Sequence, residues 1–242
     1  MESTNQFQSI VKDAEIFYLK EFIPRDMADS LLVLLNDDDK FKYYNLYHYD
    51  RTQRIVTQTR NHRKSYWFGD HPQSVQSTNN YITDDLLKKI LIPTDYVMNY
   101  PFPQEILVMK DTIEKMFGIT FNSCLVGKFE SPTDKINFHS DVSSSMGNDP
   151  YIGSVSFGRA RLFKLKKQKK YCLEGEPAEK CDVTLSHGDL LIMRKDANRK
   201  YLHMVPADKG CDKDNFRINL TFRNYAYDES EKAYGQKQKN IL

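Results

Sequence analysis

The chain has no run of apolar residues approaching the ~18 needed for a membrane-spanning helix, which excludes a helical span. Its amino end, MESTNQFQSI, is polar and lacks a basic segment leading into an apolar stretch, so it does not read as a secretory signal. Cysteine is scarce: Cys124, Cys172, Cys181 and Cys211 are the only four, and they form no CxxC. Scattered in this way they read as free thiols in a reducing compartment, although four cysteines allow three pairings. Ten glycines and nine prolines in 242 residues are too few for a collagen-like chain. Neither sign of charge dominates. Lys+Arg number 35 against 33 Asp+Glu, and the resulting +2 neither demands nor excludes a nucleic-acid partner. Internal repeats, low-complexity tracts, interdomain linkers, coiled-coil heptads and nuclear targeting motifs are all absent.

What is present suits one large domain. The hydrophobic fraction is 40% and the charged fraction 28%, which argues against wholesale disorder. A chain of this length folds to roughly 11,000 Å² of surface from about 41,000 Å² extended, enough for a core without staples. IFYL at 16–19 predicts a short strand and Pro24 a turn. RDMADSLLVLLN at 25–36 has helical periodicity and stops at the acidic cluster Asp37–Asp39. Residues 41–80, rich in Tyr, His, Arg, Gln, Asn and Ser, predict short strands elaborating a core. Residues 103–117 predict the best helix, opened by Pro103, ended by Gly118, with Ile106, Met109, Ile113 and Phe117 on one stripe. Short strands follow at 121–129, 135–141, 151–158, 161–166, 181–186, 189–194, 201–205 and 216–225. The pattern predicts an α+β fold with a sandwich or jelly-roll core behind a helical layer. Its expected boundaries are a single domain over 1–228, divided into a helical and lid region at 10–118 and a core at 119–227, and then a polar tail at 229–242.

Two constellations carry chemistry. His139-Ser140-Asp141 on a strand would turn an imidazole and a carboxylate to one face. A third ligand would complete a 2-His-1-carboxylate site of the kind used for non-haem Fe(II). His203 is the best candidate, with His48, His62, His71 and His187 as alternatives. HxD alone is a weak signal and is equally a simple His–Asp pair. In the last strand, Phe216, Ile218, Leu220 and Phe222 alternate with Arg217, Asn219, Thr221 and Arg223. The polar row is either an ordinary wet face or an inward row whose guanidiniums receive a small diacid.

Taken together these residues resemble the AlkB family of Fe(II)- and 2-oxoglutarate-dependent dioxygenases. The resemblance rests on His139-Ser140-Asp141, Ile152 to Gly158, Leu185 to Met193, His203-Met204-Val205-Pro206 and Arg217-Ile218-Asn219-Leu220-Thr221-Phe222-Arg223. It covers roughly residues 120–225, and more loosely Arg63 to Gly69 resembles the family's substrate side. It implies a double-stranded β-helix (jelly-roll) core, with His139, Asp141 and His203 as both catalytic residues and iron ligands. Arg217 matches the arginine that holds the distal carboxylate of 2-oxoglutarate, Arg223 the arginine near the keto-acid end, and Asn219 an asparagine of that pocket. The implied reaction consumes 2-oxoglutarate and dioxygen, hydroxylates a methyl group on a base nitrogen and releases formaldehyde. One departure stands out. Where the family commonly has asparagine-x-tyrosine, this chain has Gly127-Lys128-Phe129. A lost hydrogen bond to a charged group costs about 1.5–3 kcal/mol unless Tyr151 or another donor replaces it.

A nucleic-acid partner has some local support. Arg159 to Lys170 carries Arg159, Arg161, Lys164, Lys166, Lys167, Lys169 and Lys170 without an acid, and Lys195, Arg199 and Lys200 form a second group. Such runs are either phosphate contacts or solvated faces. Residues 60–71 interleave Arg63 and Lys64 with Tyr66, Trp67 and Phe68, which fits base stacking but equally fits core or lid packing. Tyr43, Tyr44, Tyr47 and Tyr49 are similarly ambiguous, and Gln73, Gln76 and Asn79 do not stand apart from a polar loop. His187 reads as structural. The expectation is an intracellular monomer, not assigned to nucleus or cytoplasm, that demethylates N1-methyladenine or N3-methylcytosine in DNA or RNA. Two alternatives remain open: the same chemistry on a protein or lipid-like molecule, and a non-catalytic nucleic-acid-binding module.

Overall fold

The apolar stripes predicted for the two front helices are what attach them to a sheet. The computed structural model describes residues 7–43, 45–50, 55–60, 63–69, 99–141, 146 and 150–225. Helix α1 (Arg25–Leu35) buries Ala28, Leu31 and Leu35, and α2 (Gln104–Phe117) buries Ile106, Met109, Ile113 and Phe117. Each of these side chains other than Ala28 contributes roughly 1.5–3 kcal/mol of gross burial. Pro24 and Pro103 occupy the N-cap positions. Gly118 ends α2 in the left-handed region at φ 64°, where a residue with a Cβ would be strained.

The strands are β1 (Glu15–Leu19), β2 (Asn45–Asp50), β3 (Ile55–Arg60), β4 (Lys64–Gly69), β5 (Asn99–Tyr100), β6 (Ser123–Phe129) and β7 (Ile136–His139). They continue as β8 (Ile152–Gly158), β9 (Arg161–Lys167), β10 (Lys180–Leu185), β11 (Leu190–Arg194), β12 (Tyr201–Val205) and β13 (Arg217–Arg223). A short helix, α3 (Ala197–Lys200), joins β11 to β12. Seven strands form one sheet in the order β1-β11-β8-β13-β6-β4-β5, four form a second in the order β10-β9-β12-β7, and β2 pairs with β3. Pairing is antiparallel except between β4 and β5.

The larger sheet is buried on both faces. Ile218, Leu220 and Phe222 of β13 pack toward α1 and α2 with Val155, Phe157, Val126 and Phe68. On the opposite face Phe129, Ile152, Leu191 and Met193 meet Phe163, Leu165, Tyr201 and Val205 of the smaller sheet. The result is a layer of helices, a large sheet and a small sheet, consistent with a double-stranded β-helix type of core. The predicted strands at 121–129, 151–158, 161–166, 181–186, 189–194, 201–205 and 216–225 all appear, with ends shifted by a few residues. The strand expected at 135–141 stops at His139, so Asp141 lies beyond it. No helix among the described residues is long and apolar enough to cross a membrane. Tyr44, His62, His71, Gln73, Gln76, Asn79 and the tail at 229–242 lie outside the described residues, as do the side chains of Tyr47, His48 and Tyr49.

Candidate metal centre

Sheet register brings the two histidines together. In the β7–β12 pair His139 stands opposite His203, and their ring centroids are 4.2 Å apart. His139 Nδ1 lies 2.9 Å from the Asn137 carbonyl. A carbonyl only accepts, so Nδ1 carries a proton, and Nε2 is the ring nitrogen left to meet a metal ion. His203 is nearly buried and stacks on Phe163 at 5.7 Å. Its Nδ1 has no hydrogen-bond partner among the described residues, so packing sets its ring.

Asp141 completes the group. Its Oδ1 is 3.4 Å from His139 Nε2 and 3.8 Å from His203 Nε2, and the three donor atoms lie within 4.8 Å of one another. Donors about 2.1 Å from a common octahedral ion stand roughly 3 Å apart at adjacent positions, so small adjustments would seat one. Strand parity does not hold Asp141, because the strand has already ended. Asn198 of α3 does: its Oδ1 accepts the Asp141 N–H at 2.9 Å and its Nδ2 donates to the Asp141 carbonyl at 3.0 Å. Asn198 is buried. It was absent from the sequence candidates, and no spacing signal marks it. On the side chain, Arg223 donates from Nε at 2.8 Å and Nη2 at 2.7 Å, both to Asp141 Oδ2.

These surroundings prepare the ligands. Burial opposes charge on Asp141, yet the Arg223 guanidinium holds its carboxyl well below the usual carboxylate range. Burial, with His139 beside it, pushes His203 down to about 3, so the imidazole stays neutral at ordinary pH. Burial opposes the charge of Arg223 as well, and Asp141 more than restores it.

The cluster sits at one end of a cavity between the sheets. Its lining includes Ile152, Phe163, Leu191, Met193 and Val205, and it holds about 560 Å³ out to its open mouth. At the other end Arg217 is almost wholly buried, and its Nη2 donates to Ser156 Oγ at 2.9 Å and to Asn219 Oδ1. Its Nε has no partner among the described residues. Burial, together with Arg161 and Arg63, pushes Arg217 down to about 9. Asn219 lines the cavity, yet its amide is used locally: Oδ1 also accepts from Ser154 Oγ at 3.0 Å, and Nδ2 donates to Thr221 Oγ1 at 2.8 Å. The polar row of β13 therefore faces inward and is no wet surface. A ligand that chelates an ion at the cluster and carries an anionic group toward Arg217 matches both ends.

The other predicted site residues divide by face. β4 pairs with β6 so that Trp67 stands opposite Leu125 and Ser65 opposite Gly127. Trp67 thus lies on the cavity side of the sheet, with the Arg223 guanidinium 6.0 Å from its ring. Tyr66 has the opposite parity and differs from the substrate-side expectation. It is 1% exposed, donates its hydroxyl to the Leu35 carbonyl at 3.0 Å, and packs edge-on against Phe41 and Phe68. Lys64 pairs with Glu130 at 2.6 Å. Arg161 is also buried, contrary to an exposed phosphate contact, and its Nη2 donates to the carbonyls of Asp134 and Pro206. Lys164 pairs with Asp182 at 2.7 Å and Lys167 with Asp13 at 2.6 Å. Lys166 forms no ion pair among the described residues, and Lys169 and Lys170 are exposed. In the second basic group Lys195 pairs with Glu15, and Arg199 and Lys200 with Asp196. Tyr151 is not in the cavity lining and has the Arg194 guanidinium over its ring. His187 is structural, as expected: Nδ1 accepts the Gly158 N–H at 2.8 Å and Nε2 faces Asp29 at 3.1 Å. All four cysteines are free.

Comparison with known proteins adds an independent finding. A family model described as the 2OG-Fe(II) oxygenase superfamily matches residues 15–223. Alpha-ketoglutarate-dependent dioxygenase alkB homolog 3 of Bos taurus is 36% identical over 120 residues, covering 49% of this chain and 41% of that protein. DNA oxidative demethylase ALKBH2 of Arabidopsis thaliana is 38% identical over 149 residues, covering 54% of this chain and 46% of that protein. The matches thus span less than half the length of these curated relatives. The solved structure of OsALKBH1 covers 89% of this chain and 99% of its own at 18% identity and a TM-score of 0.42, a likeness that carries no argument here.

Proposed function

Because the chain belongs to the 2OG-Fe(II) oxygenase superfamily and is homologous to its AlkB-type members, we propose that it oxidatively dealkylates nucleic-acid bases. The observation that carries the reading is the pairing, in one cavity, of the His139–Asp141–His203 cluster with the buried Arg217 guanidinium. The donor set fits Fe(II): two neutral imidazoles and one carboxylate leave three octahedral positions for cosubstrate and dioxygen. Iron with 2-oxoglutarate and dioxygen would supply the oxidation of an alkyl carbon on a base nitrogen, after which the hydroxyalkyl group leaves as aldehyde. N1-methyladenine and N3-methylcytosine are the first substrates to test. The finer reading of the core is a jelly roll.

This chain's own residues bind and orient. His139 and His203 present their Nε2 atoms, and Arg223 and Asn198 hold the Asp141 carboxylate and backbone. Arg217 receives the distal carboxylate, a charge-assisted contact of the strong kind. Phe163, Leu191, Met193 and Val205 form a dry wall, which strengthens these interactions and limits side reactions. Trp67, on the cavity side beside Arg223, is the candidate platform for a displaced base. Lys166, Lys169 and Lys170 are the cations best able to meet phosphates. Lys164 could exchange its exposed and therefore weak pair with Asp182 for a phosphate.

The test is succinate and formaldehyde production by iron-loaded protein on methylated and unmethylated oligonucleotides, with His139→Ala as blank. Both products should rise together with a methylated oligonucleotide, fall steeply with added salt, and fall again in a Lys166→Glu/Lys169→Glu/Lys170→Glu variant. Succinate indifferent to every oligonucleotide would move the chemistry to a protein or small-molecule substrate. Oligonucleotide binding without any succinate would make the protein a binding module.

A further inference from the structure

The cavity has a cation that the cosubstrate reading above leaves without a role. In the β4–β6 register Ser65 stands opposite Gly127, so Arg63, two residues away, shares the cavity face and reaches back across that glycine. A Cβ built at Gly127 would lie 2.9 Å from Arg63 Nε, 3.5 Å from Cδ and 3.9 Å from Cζ. The missing side chain is therefore the space through which Arg63 enters. Two residues further along β6, the Phe129 ring has the guanidinium carbons of Arg63, Arg161 and Arg217 at 5.5, 5.1 and 5.2 Å from its centroid. An aromatic face tolerates such cations, where a hydroxyl in its place would compete for their N–H groups.

The three arginines are not equivalent. Arg161 is committed to the scaffold through the Asp134 and Pro206 carbonyls at 2.9 and 2.6 Å, with Asp208 3.8 Å from its Nε. Arg63 and Arg217 line the cavity. Arg217 forms no ion pair among the described residues, and its two neighbouring guanidiniums disfavour its charge further. Asp141, the acid lining the far end, is taken by Arg223. The buried charge of Arg217 is costly until an anion enters, and the natural occupant of a cavity that Arg63 also lines is the end of a ligand that is itself ionised.

We propose that Arg63 is a second guanidinium anchor for the distal carboxylate of 2-oxoglutarate, admitted by Gly127 and seated on Phe129, beside Arg217. This deepens the cosubstrate reading of the cavity and rests on it. The consequence is selectivity: the site should favour a 2-oxo dicarboxylate over a 2-oxo monocarboxylate by more than Arg217 alone would give.

Calorimetric titration of the full chain loaded with Mn(II), without dioxygen, tests this with no turnover involved. The ligands are 2-oxoglutarate and 2-oxopentanoate, which keeps the chelating head and carries a methyl in place of the distal carboxylate. Arg63→Ala should weaken 2-oxoglutarate about ten- to hundred-fold and leave 2-oxopentanoate unchanged. Arg63→Gln keeps the stem over Phe129 and should also lose affinity for the dicarboxylate alone. Gly127→Ala, which retains the guanidinium and displaces it, should do the same to a smaller degree. Unchanged 2-oxoglutarate affinity in Arg63→Ala, or equal losses for both ligands, would overturn the proposal while leaving the cavity reading intact. Failure of the unaltered protein to bind 2-oxoglutarate at all would overturn both.

Discussion

The clamp between Asn198 and Asp141 should be worth more than its two hydrogen bonds suggest, because one of the metal donors depends on it. Replacing Asn198 by Ala removes the contacts at 2.9 and 3.0 Å and leaves the N–H and carbonyl of Asp141 without these partners. At about 1 kcal/mol net per bond the loss is ~2 kcal/mol. For a domain of this size that lowers Tm by about 4–8 °C. The larger effect is positional. Arg223 still holds Oδ2, so the carboxylate stays ionised, but its backbone is released from the position that faces Oδ1 toward the two imidazoles. Supporting contacts of this kind typically change metal affinity ten- to hundred-fold. Thermal melts of the metal-free protein and chelator competition with Mn(II) would measure the two parts separately. Asn198→Asp keeps an acceptor for the Asp141 N–H, loses the donor to its carbonyl and adds an anion, so it should also melt lower than wild type. Wild-type Tm and metal affinity in Asn198→Ala would refute the reasoning and leave Arg223 alone as what positions Asp141.

Two further outcomes follow from burial. His203 is pushed down to about 3, against 6.5 for an ordinary imidazole, so the unfolded chain binds the additional proton between those values. Its contribution to the stability of the metal-free protein is complete above about pH 6.5 and is lost as pH falls through that window, on the order of 5 kcal/mol in all. Denaturant melts against pH should show this slope, and His203→Gln should flatten it; a flat wild-type profile between pH 7 and 4 would contradict the burial argument. Cys124 and Cys211 are buried, and burial raises both thiols, whereas Cys172 and Cys181 are partly exposed. Thiol titration should count two groups quickly in the native protein and four after denaturation. Fast reaction of Cys124 would mean that the helix-facing core opens.

Periodicity is local, and what depends on it was legible in the sequence alone. The stripe of Ile106, Met109, Ile113 and Phe117 specified α2, because a helix returns to one face every 3.6 residues. The alternation in β13 specified two unlike faces, and the resemblance to the AlkB family joined His139, Asp141, His203, Arg217 and Arg223 as a set. Alternation could not say that the polar face of β13 is enclosed, because that depends on a second sheet covering it. Parity within β4 separated Tyr66 from Trp67, but only the position of the helices decided that Tyr66 is core and that Trp67 faces the cavity. Strand logic for His139 and Asp141 failed where β7 ended, and the hold on Asp141 came instead from Asn198, 57 residues away. Arg63 reads as a nucleic-acid contact in the sequence, and the β4–β6 register sets it across Gly127. A chain's local pattern determines which face a residue occupies; which neighbours that face meets is settled by sheet register and layer packing, through contacts whose partners are far apart in sequence.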